Sequence, residues 1–264
     1  MTTNRSFILG LALAVGGAIA PAGAADLYTG MGSLKDGYYA APSMARWYLR
    51  GDLGYAFHGD EDVSVEIGGI SYDSITAEME DTWTVGGGVG VYFSENFRGD
   101  VTIDYRTDAG VDGVADDWTQ RDYSFDLSST VVLANLYYDF NRGGGFTPYV
   151  GAGIGWVNHQ TSNGLWGDNC GCNGTIEGKS TDDMAAALMA GFTVDFGHEG
   201  GGSIKDGPVA DSRGVKLDVG YRYLWLGDAH TGDMLMNGTV AGGDPIVHDL
   251  DAHEFRVGLR YDIY

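Results

Sequence analysis

The sequence contains serines and histidines, the residue types that many hydrolases use as nucleophile and base. Ser128 or Ser129 can be paired on paper with His159, and a hydroxyl activated by a histidine base attacks esters and phosphoesters. The spacing does not single out these residues as a catalytic set. We therefore predict that the chain is not an enzyme, and we keep a lipid A- or phospholipid-modifying enzyme as an alternative function.

Five of the six histidines lie at or beyond the ends of the regular segments described below: His58, His159, His230, His248 and His253. Imidazole is a common ligand of metals and of haem iron, so a surface haem- or metal-binding protein is a second alternative. The spacing of these histidines matches no ligand pattern. We expect no cofactor and no metal site.

Carboxylates accumulate in two irregular stretches of the chain. Residues 58–81 hold eight acidic residues and no Lys or Arg, and residues 226–251 add five more. Hard divalent cations favour clustered carboxylates, so cation bridges to lipopolysaccharide phosphates are one hypothesis. No twelve-residue calcium-loop spacing occurs, and solubility and repulsion at a cell surface account for the same charge more simply.

The two cysteines, Cys170 and Cys172, are separated by a single glycine. They form a possible disulfide in an oxidising compartment, although so small a ring would be strained and easily reduced. Two cysteines at this spacing do not indicate a zinc site. Rigidification of a loop is the simpler role.

Eight segments carry apolar or aromatic residues at every second position for about ten residues each, which is the side-chain period of a β-strand. They span residues 47–57, 82–93, 98–107, 129–140, 146–158, 183–196, 214–225 and 252–264. A membrane-spanning strand needs ~9–11 residues. Outside the N-terminal segment, no apolar stretch is long enough for a transmembrane helix, so any membrane crossing must use strands.

The faces opposite the apolar ones carry charge. Six cations and eight acids occupy them: Arg50, Arg106, Lys216, Arg222, Arg256, Arg260, Asp52, Asp100, Asp104, Asp139, Asp195, Asp218, Glu254 and Asp262. A soluble sandwich would need a second apolar layer, which the chain lacks. A closed sheet with its apolar face toward lipid satisfies the backbone and lets the charges pair inside as a lumenal charge network. We therefore predict an all-β fold, an eight-stranded antiparallel transmembrane up-and-down β-barrel.

A soluble eight-stranded ligand carrier is the rival architecture, and it would need an apolar interior. In an eight-stranded barrel the lumen is just wide enough for side chains to fill it. The lumenal charges are therefore predicted to form a salt-bridged plug rather than an ion path or a catalytic pair.

The N-terminus predicts export. Arg5, an apolar run and the small residues Ala22-Gly23-Ala24 form a signal peptide over 1–24, followed by a periplasmic arm over 25–46 and the barrel over 47–264. Cleavage removes one Arg and no acid, which changes the formal charge from −22 to −23. A chain this acidic repels the phosphate backbone of nucleic acids, so we expect no nucleic-acid partner.

The connections between segments alternate in length. Residues 94–97 and 141–145 are short, as in periplasmic turns, whereas residues 58–81, 109–128, 159–182 and 226–251 are long, as in surface loops. The connection 197–213 is longer than a periplasmic turn. Its glycine-rich start predicts a flexible insertion.

The ending Val-Gly-Leu-Arg-Tyr-Asp-Ile-Tyr at 257–264 and the strand Asp-Val-Gly-Tyr-Arg-Tyr at 218–223 resemble the alphaproteobacterial small outer-membrane immunogenic, porin-family proteins, which are opacity-like barrels. The resemblance implies insertion by the outer-membrane assembly machinery, which recognises a C-terminal strand that usually ends in Phe. Here Ile263 takes that place and Tyr264 follows. Family roles include envelope integrity, exposure to hosts and, in some members, haem binding.

We therefore predict a structural, surface-exposed protein of the bacterial outer membrane that contributes to envelope integrity and cell-surface interactions. The partners that follow are outer-membrane lipid and lipopolysaccharide, the assembly machinery, and host or cell-surface ligands.

Overall fold

The eight alternating segments are all β-strands in the computed structural model, which describes residues 46–58, 61–67, 70–115, 121–140, 145–196, 214–242 and 245–263. Its strands are β1 (Arg46–Phe57), β2 (Glu61–Ile67), β3 (Ile70–Met79), β4 (Thr82–Tyr92), β5 (Phe97–Ala115), β6 (Arg121–Asp139), β7 (Phe146–Thr161), β8 (Gly164–Asp168), β9 (Asn173–Ile176), β10 (Ser180–Asp195), β11 (Val215–Trp225), β12 (Ala229–His230), β13 (Met234–Met236), β14 (Thr239–Gly242), β15 (Pro245–His248) and β16 (Asp251–Ile263). Among these residues, no helix is long and apolar enough to cross a membrane.

Eight of these strands close into a barrel in the order β1, β4, β5, β6, β7, β10, β11 and β16. Closure comes from the antiparallel pairing of the first strand with the last, in which Trp47 faces Ile263 and Phe57 faces His253. Every neighbouring pair is antiparallel, so the predicted eight-stranded antiparallel barrel is confirmed.

The two ends of the barrel differ. At the turn end, which holds the short connections after β4 and β6, Phe93 and Ser94 donate their N–H groups to the carbonyl of Phe97. At the opposite end, which we call the extension end, β5 and β6 run for 19 residues each and the short strands β2, β3, β8, β9 and β12–β15 pair onto them and onto one another.

The extension end corrects the predicted loop boundaries. Residues 109–128 were expected to form a surface loop, but all of the described residues in that range are strand. The predicted loops 58–81, 159–182 and 226–251 likewise contain strands. The reason is that alternation continues through these stretches: Val111, Tyr123, Phe125 and Leu127 all point inward and are at most 3% exposed.

The outward face of the barrel strands is apolar, as predicted. Leu49, Leu53 and Leu259 are each at least half exposed, and rings pack side by side across neighbouring strands, such as Tyr55 and Trp83, whose centroids are 4.9 Å apart. These residues form a continuous apolar belt around the barrel.

Glycines on the inward face make room for large lumenal side chains. A Cβ at Gly90 would lie 2.2 Å from the ring of Tyr48, and one at Gly153 would lie 2.1 Å from the amide oxygen of Asn135. Both distances are far below van der Waals contact. The glycine-rich strands of the sequence therefore fill the lumen through the side chains of their neighbours.

Several predictions fall outside the described residues. They are the signal peptide 1–24, the insertion 197–213, the terminal Tyr264, and all of the predicted arm 25–46 except Arg46, which begins β1.

Candidate functional site

The inward face of β6 changes from polar to apolar along its length. On β6, Asp139, Tyr137 and Asn135 near the turn end give way to Leu133 and then to Leu127 toward the extension end, all of them buried. The outward face changes in the opposite sense: it is apolar at Leu136 and polar at Asp126. The lumen thus has a charged layer and, above it, an apolar layer.

At the centre of the charged layer, carboxylates on β5 and β16 pair with arginines on β5, β11 and β16. Asp104 accepts hydrogen bonds from Arg222 at 2.6 Å and from Arg256 at 2.9 Å. Glu254 accepts from Arg222 at 2.8 Å and lies 3.4 Å from Arg106. Arg222 and Glu254 are direct partners on the neighbouring strands β11 and β16. Asp104 and Arg106 lie on β5, which pairs with neither strand, so their contacts cross the lumen.

A second group of pairs lies nearer the turn end. The guanidinium of Arg50 bridges Asp52 at 2.7 Å and Asp100 at 2.8 Å. Tyr48 donates its hydroxyl to Asp100 at 3.0 Å, and Arg50 donates to the hydroxyl of Tyr137 at 3.0 Å. Tyrosine hydroxyls thus complete the coordination of the charged groups.

The turn end itself is closed by three further pairs. Lys216 lies 2.6 Å from Asp262, and Arg260 lies 3.2 Å from Asp218. Arg98 lies 3.0 Å from Asp139 while its guanidinium sits 4.0 Å from the ring centroid of Tyr137.

Charge balances within the charged layer. Among the described residues, its ion pairs join seven cations to seven carboxylates: Arg50, Arg98, Arg106, Lys216, Arg222, Arg256, Arg260, Asp52, Asp100, Asp104, Asp139, Asp218, Glu254 and Asp262. Thirteen of them belong to the predicted lumenal set, and Arg98 is the residue that the sequence analysis missed, although it shares the inward parity of Asp100. Asp195, also in that set, lies half-buried at the turn end of β10.

Little space remains inside the charged layer. A cavity of about 10 Å³ lies between Arg50, Asp52, Tyr149, Asp218 and Arg256. That volume fits about one water molecule.

The apolar layer lies between the charged layer and the solvent at the extension end. Its buried members come from the long strands and from the short ones: Val111, Tyr123, Phe125, Leu127, Val131, Leu133, Val157, Trp166, Ile176, Ala185, Ala187, Leu224, Leu226, Ala229, Met234, Val247 and Leu250. The sequence predicts a polar lumen only. This layer is a second core, packed as in a soluble sheet.

Comparison with known proteins places this architecture in a family. The family model described as the outer membrane protein beta-barrel domain matches residues 10–262. The chain belongs to this family. It is therefore a protein of the bacterial outer membrane, and its apolar belt faces lipid.

Relatives of this outer-membrane barrel come from alphaproteobacteria. An uncharacterized protein of Brucella abortus (strain 2308) is 30% identical over 266 residues, which cover 84% of this chain and 86% of the relative. A protein of Rickettsia bellii (strain RML369-C), whose name proposes an adhesin, is 27% identical over 228 residues, 82% of this chain and 88% of the relative. The crystal structure of OprG from Pseudomonas aeruginosa shares the fold, with a TM-score of 0.53, 13% identity, and coverage of 83% of this chain and 96% of OprG.

The outer-membrane barrel brings together one serine and histidine named in the sequence analysis. Ser129 Oγ lies 2.8 Å from His159 Nδ1, and His159 Nε2 donates to the carbonyl of Leu226 at 3.0 Å. His159 is fully buried and Ser129 is 5% exposed, so a substrate cannot reach the hydroxyl. The pair instead ties β6 and β7 to the residue that follows β11.

The other predicted histidines lie apart from one another and have different partners. His58 Nε2 lies 2.8 Å from Arg106, the imidazole of His248 lies 3.4 Å from Asp228, and His253 bonds the hydroxyl of Tyr221 at 2.5 Å on the outward face. His230 is in β12. In the described part of the chain, no group of three or more His, Cys, Asp or Glu side chains is arranged to hold a metal ion.

Cys170 and Cys172 are exposed free thiols in the turn between β8 and β9. The carboxylate of Asp168 accepts the backbone N–H groups of both, at 3.0 and 2.8 Å. The turn is therefore ordered without a disulfide, and their pairing stays a prediction.

Proposed function

We propose that this chain is a structural, surface-exposed protein of the outer membrane, with a plugged lumen and an extension end that presents an ordered β-platform to the exterior. The observation that carries the proposal is the filled lumen. Crossing ion pairs occupy the charged layer, and a packed apolar layer covers it. The packing of both layers among the described residues supports a barrel that acts as an anchor rather than as a pore.

The placement of the extension end outside the cell follows from its length and its chemistry. Membrane barrels carry short turns on the periplasmic side and long connections on the outer side. Above the apolar belt, the outward side chains of β6 are polar and the inward ones are apolar, as in a sheet that stands in water. An adhesin-like role in surface interactions also agrees with the name of the Rickettsia relative.

Catalysis receives no support from the site. The Ser129 hydroxyl and the His159 imidazole are sealed inside the apolar layer, and the second imidazole nitrogen donates to a backbone carbonyl rather than to a carboxylate. We therefore propose a non-enzymatic role. The same proposal includes assembly by the outer-membrane machinery, contact with lipopolysaccharide, removal of residues 1–24 and a contribution to envelope integrity.

Solute flux tests the plug. The full mature chain is reconstituted into liposomes, and swelling in small sugars and single-channel conductance are measured beside an open porin. We expect neither swelling nor stable conductance above protein-free liposomes. Steady conductance from the folded barrel, verified by its faster migration before boiling, would overturn the plugged lumen.

The native thiols test the orientation. A membrane-impermeant maleimide, applied to intact cells after mild reduction, should label Cys170 and Cys172. The matched control carries Cys170→Ser and Cys172→Ser with Glu95→Cys in the exposed turn after β4, and it should label only in lysed cells. Reversed labelling would place the extension end in the periplasm. Labelling of the native pair that requires the reductant would reveal the disulfide.

A further inference from the structure

We propose that the extension end contains a binding cavity for an organic cation that carries an apolar or aromatic group. An open cavity of about 850 Å³ lies where β3, β5, β6, β8 and β9 run side by side. Small-molecule sites commonly measure ~300–1,000 Å³. The cavity lies above the apolar belt, and it is separate from the lumenal pairs and from the Ser129–His159 contact.

Cross-strand register places three carboxylates on one face of this five-stranded patch. Glu78 pairs with Asp112, and Asp112 pairs with Ser124. Asp122 lies two residues from Ser124 on the same strand, and therefore on the same face. All three acids are exposed and line the cavity. Their negative charges point to a cationic ligand.

An apolar side chain completes that face. Leu165 pairs with Ser124 across β6 and β8, lines the cavity and is 67% exposed. So large an exposed fraction within the cavity leaves apolar area for a ligand to cover. The burial of that area would add a hydrophobic contribution to the attraction between charges.

The sheet beneath the cavity is backed by packed aromatic rings. Tyr123 and Trp166 pair across β6 and β8 and are among the residues around the cavity. They alternate with Asp122 and Leu165, so their rings lie on the opposite face of the sheet, in the apolar layer. The indole N–H of Trp166 donates to the carbonyl of Leu235 at 3.2 Å. A site supported by a packed core is preformed, so a ligand would lose little affinity to the ordering of the protein.

Positive charge is absent from the cavity surface in the part of the chain that the structure describes. None of the described lining residues is Lys, Arg or His, and no ion pair among the described residues involves Glu78, Asp112 or Asp122. Arg121 alternates with Asp122 along β6, so it lies on the opposite face, 5.9 Å from the Trp166 ring centroid. Among the described residues, the three acids therefore have no Lys or Arg partner, which leaves their charge for a ligand cation.

Matched probes test the chemistry. The purified mature barrel in zwitterionic micelles is titrated with 4-phenylbutylamine, 4-phenylbutyrate and 4-phenylbutanol, and protein-free micelles are subtracted. Binding is followed by calorimetry and by the ¹⁹F signal of 5-fluorotryptophan at position 166, assigned with Trp166→Phe. We expect the amine to bind saturably, at least tenfold tighter than the alcohol, and to shift the Trp166 signal, while the carboxylate does not bind. Added salt should weaken the binding of the amine, because it screens the attraction between the charges.

A charge-matched pair of variants locates the site. Glu78→Gln, Asp112→Asn and Asp122→Asn together should weaken amine binding at least tenfold. The control combines Asp108→Asn, Asp233→Asn and Asp249→Asn, three exposed acids outside the cavity, and should bind as the wild type does. Equal weakening in both would indicate diffuse attraction to an acidic surface and would overturn the proposal. So would equal binding of the amine and the carboxylate, or no saturable binding.

This inference uses the proposed function only in placing the cavity outside the cell. The titration uses purified protein, so its result does not depend on orientation or on the plug. If the amine does not bind and the liposomes show no conductance, the binding cavity alone is rejected. If the amine binds tightly and the liposomes conduct, the plugged lumen alone is rejected.

Discussion

Arg222 and Asp104 lie on opposite walls of the barrel, on β11 and β5, and their side chains meet across the lumen at 2.6 Å. Both side chains are 1% exposed. Neither strand pairs with the other, so this contact, unlike a cross-strand neighbour pair, connects two halves of the barrel. The pair thereby supports the closed shape as well as filling the interior.

Replacement of Asp104 tests the energetic role of this crossing. Asp104→Asn leaves Arg222 and Arg256 buried with one carboxylate fewer, and removal of one partner of a buried ion pair costs about 3–5 kcal/mol. We expect the variant barrel in micelles to unfold at a lower concentration of guanidinium chloride. In gel electrophoresis, its fast-migrating folded band should disappear at a lower temperature. The control Glu95→Gln changes an exposed acid at the turn end and should behave as the wild type.

The double variant Asp104→Leu with Arg222→Met distinguishes charge from packing. An apolar replacement of both partners leaves no unpaired charge between them, so it should recover part of the lost stability. If Asp104→Asn alone leaves the midpoint unchanged, the crossing pair does not stabilise the barrel.

The apolar layer gives a second prediction. Leu127 is 1% exposed within that layer, and Leu127→Ala should cost about 2–5 kcal/mol through lost burial and the cavity left behind. The change should increase proteolysis of the extension end while the lipid-embedded part stays protected. Val240→Ala, at a position that is 59% exposed, is the control. Equal protease sensitivity of the two variants would show that the apolar layer does not hold the extension end together.

The Ser129–His159 contact predicts structure without reactivity. A fluorophosphonate probe should leave the folded protein unlabelled, because Ser129 is buried. Ser129→Ala should lower stability by about 1–3 kcal/mol, since it leaves a buried imidazole nitrogen without its hydroxyl partner. Covalent labelling that disappears in Ser129→Ala would establish a nucleophile and restore the enzyme alternative.

The barrel strands were predictable because a membrane barrel has one strong rule of alternation. Lipid requires apolar side chains such as Leu53 and Leu259 outside, and a narrow lumen collects residues such as Asp52 and Arg256 inside. Those residues can be assigned from parity alone. Their pairing partners cannot, because contacts such as Asp104 with Arg222 depend on strand tilt and stagger.

The extension end was not predictable from the same rule, because the rule reverses above the membrane. On β6 the outward residues change from Leu136 to Asp126, and the inward ones change from Asn135 to Leu127. The period stays two while the apolar face changes sides. A search for one continuous apolar face therefore ends the strand near residue 129 and takes the acid-rich remainder for a loop.

His58 carries the last prediction, which concerns pH. It follows β1 at the extension end, where burial and the nearby Arg106 guanidinium lower its imidazole pKa from 6.5 to about 4. The unfolded chain takes up the proton near pH 6.5 and the folded chain resists it until about pH 4. This histidine should therefore make folding less stable as pH falls through that window, and stability should recover as pH rises.

Two measurements check this sign. The ¹³Cε1 resonance of His58, assigned with His58→Gln, should titrate near pH 4, and Arg106→Gln should move that midpoint upward by removing the repulsion. When the pH is lowered from 7 to 5, the guanidinium chloride concentration at the unfolding midpoint should fall less for His58→Gln than for the wild type, because glutamine takes up no proton. A titration near pH 6.5 would show that the imidazole is hydrated and far from Arg106, in conflict with their 2.8 Å contact.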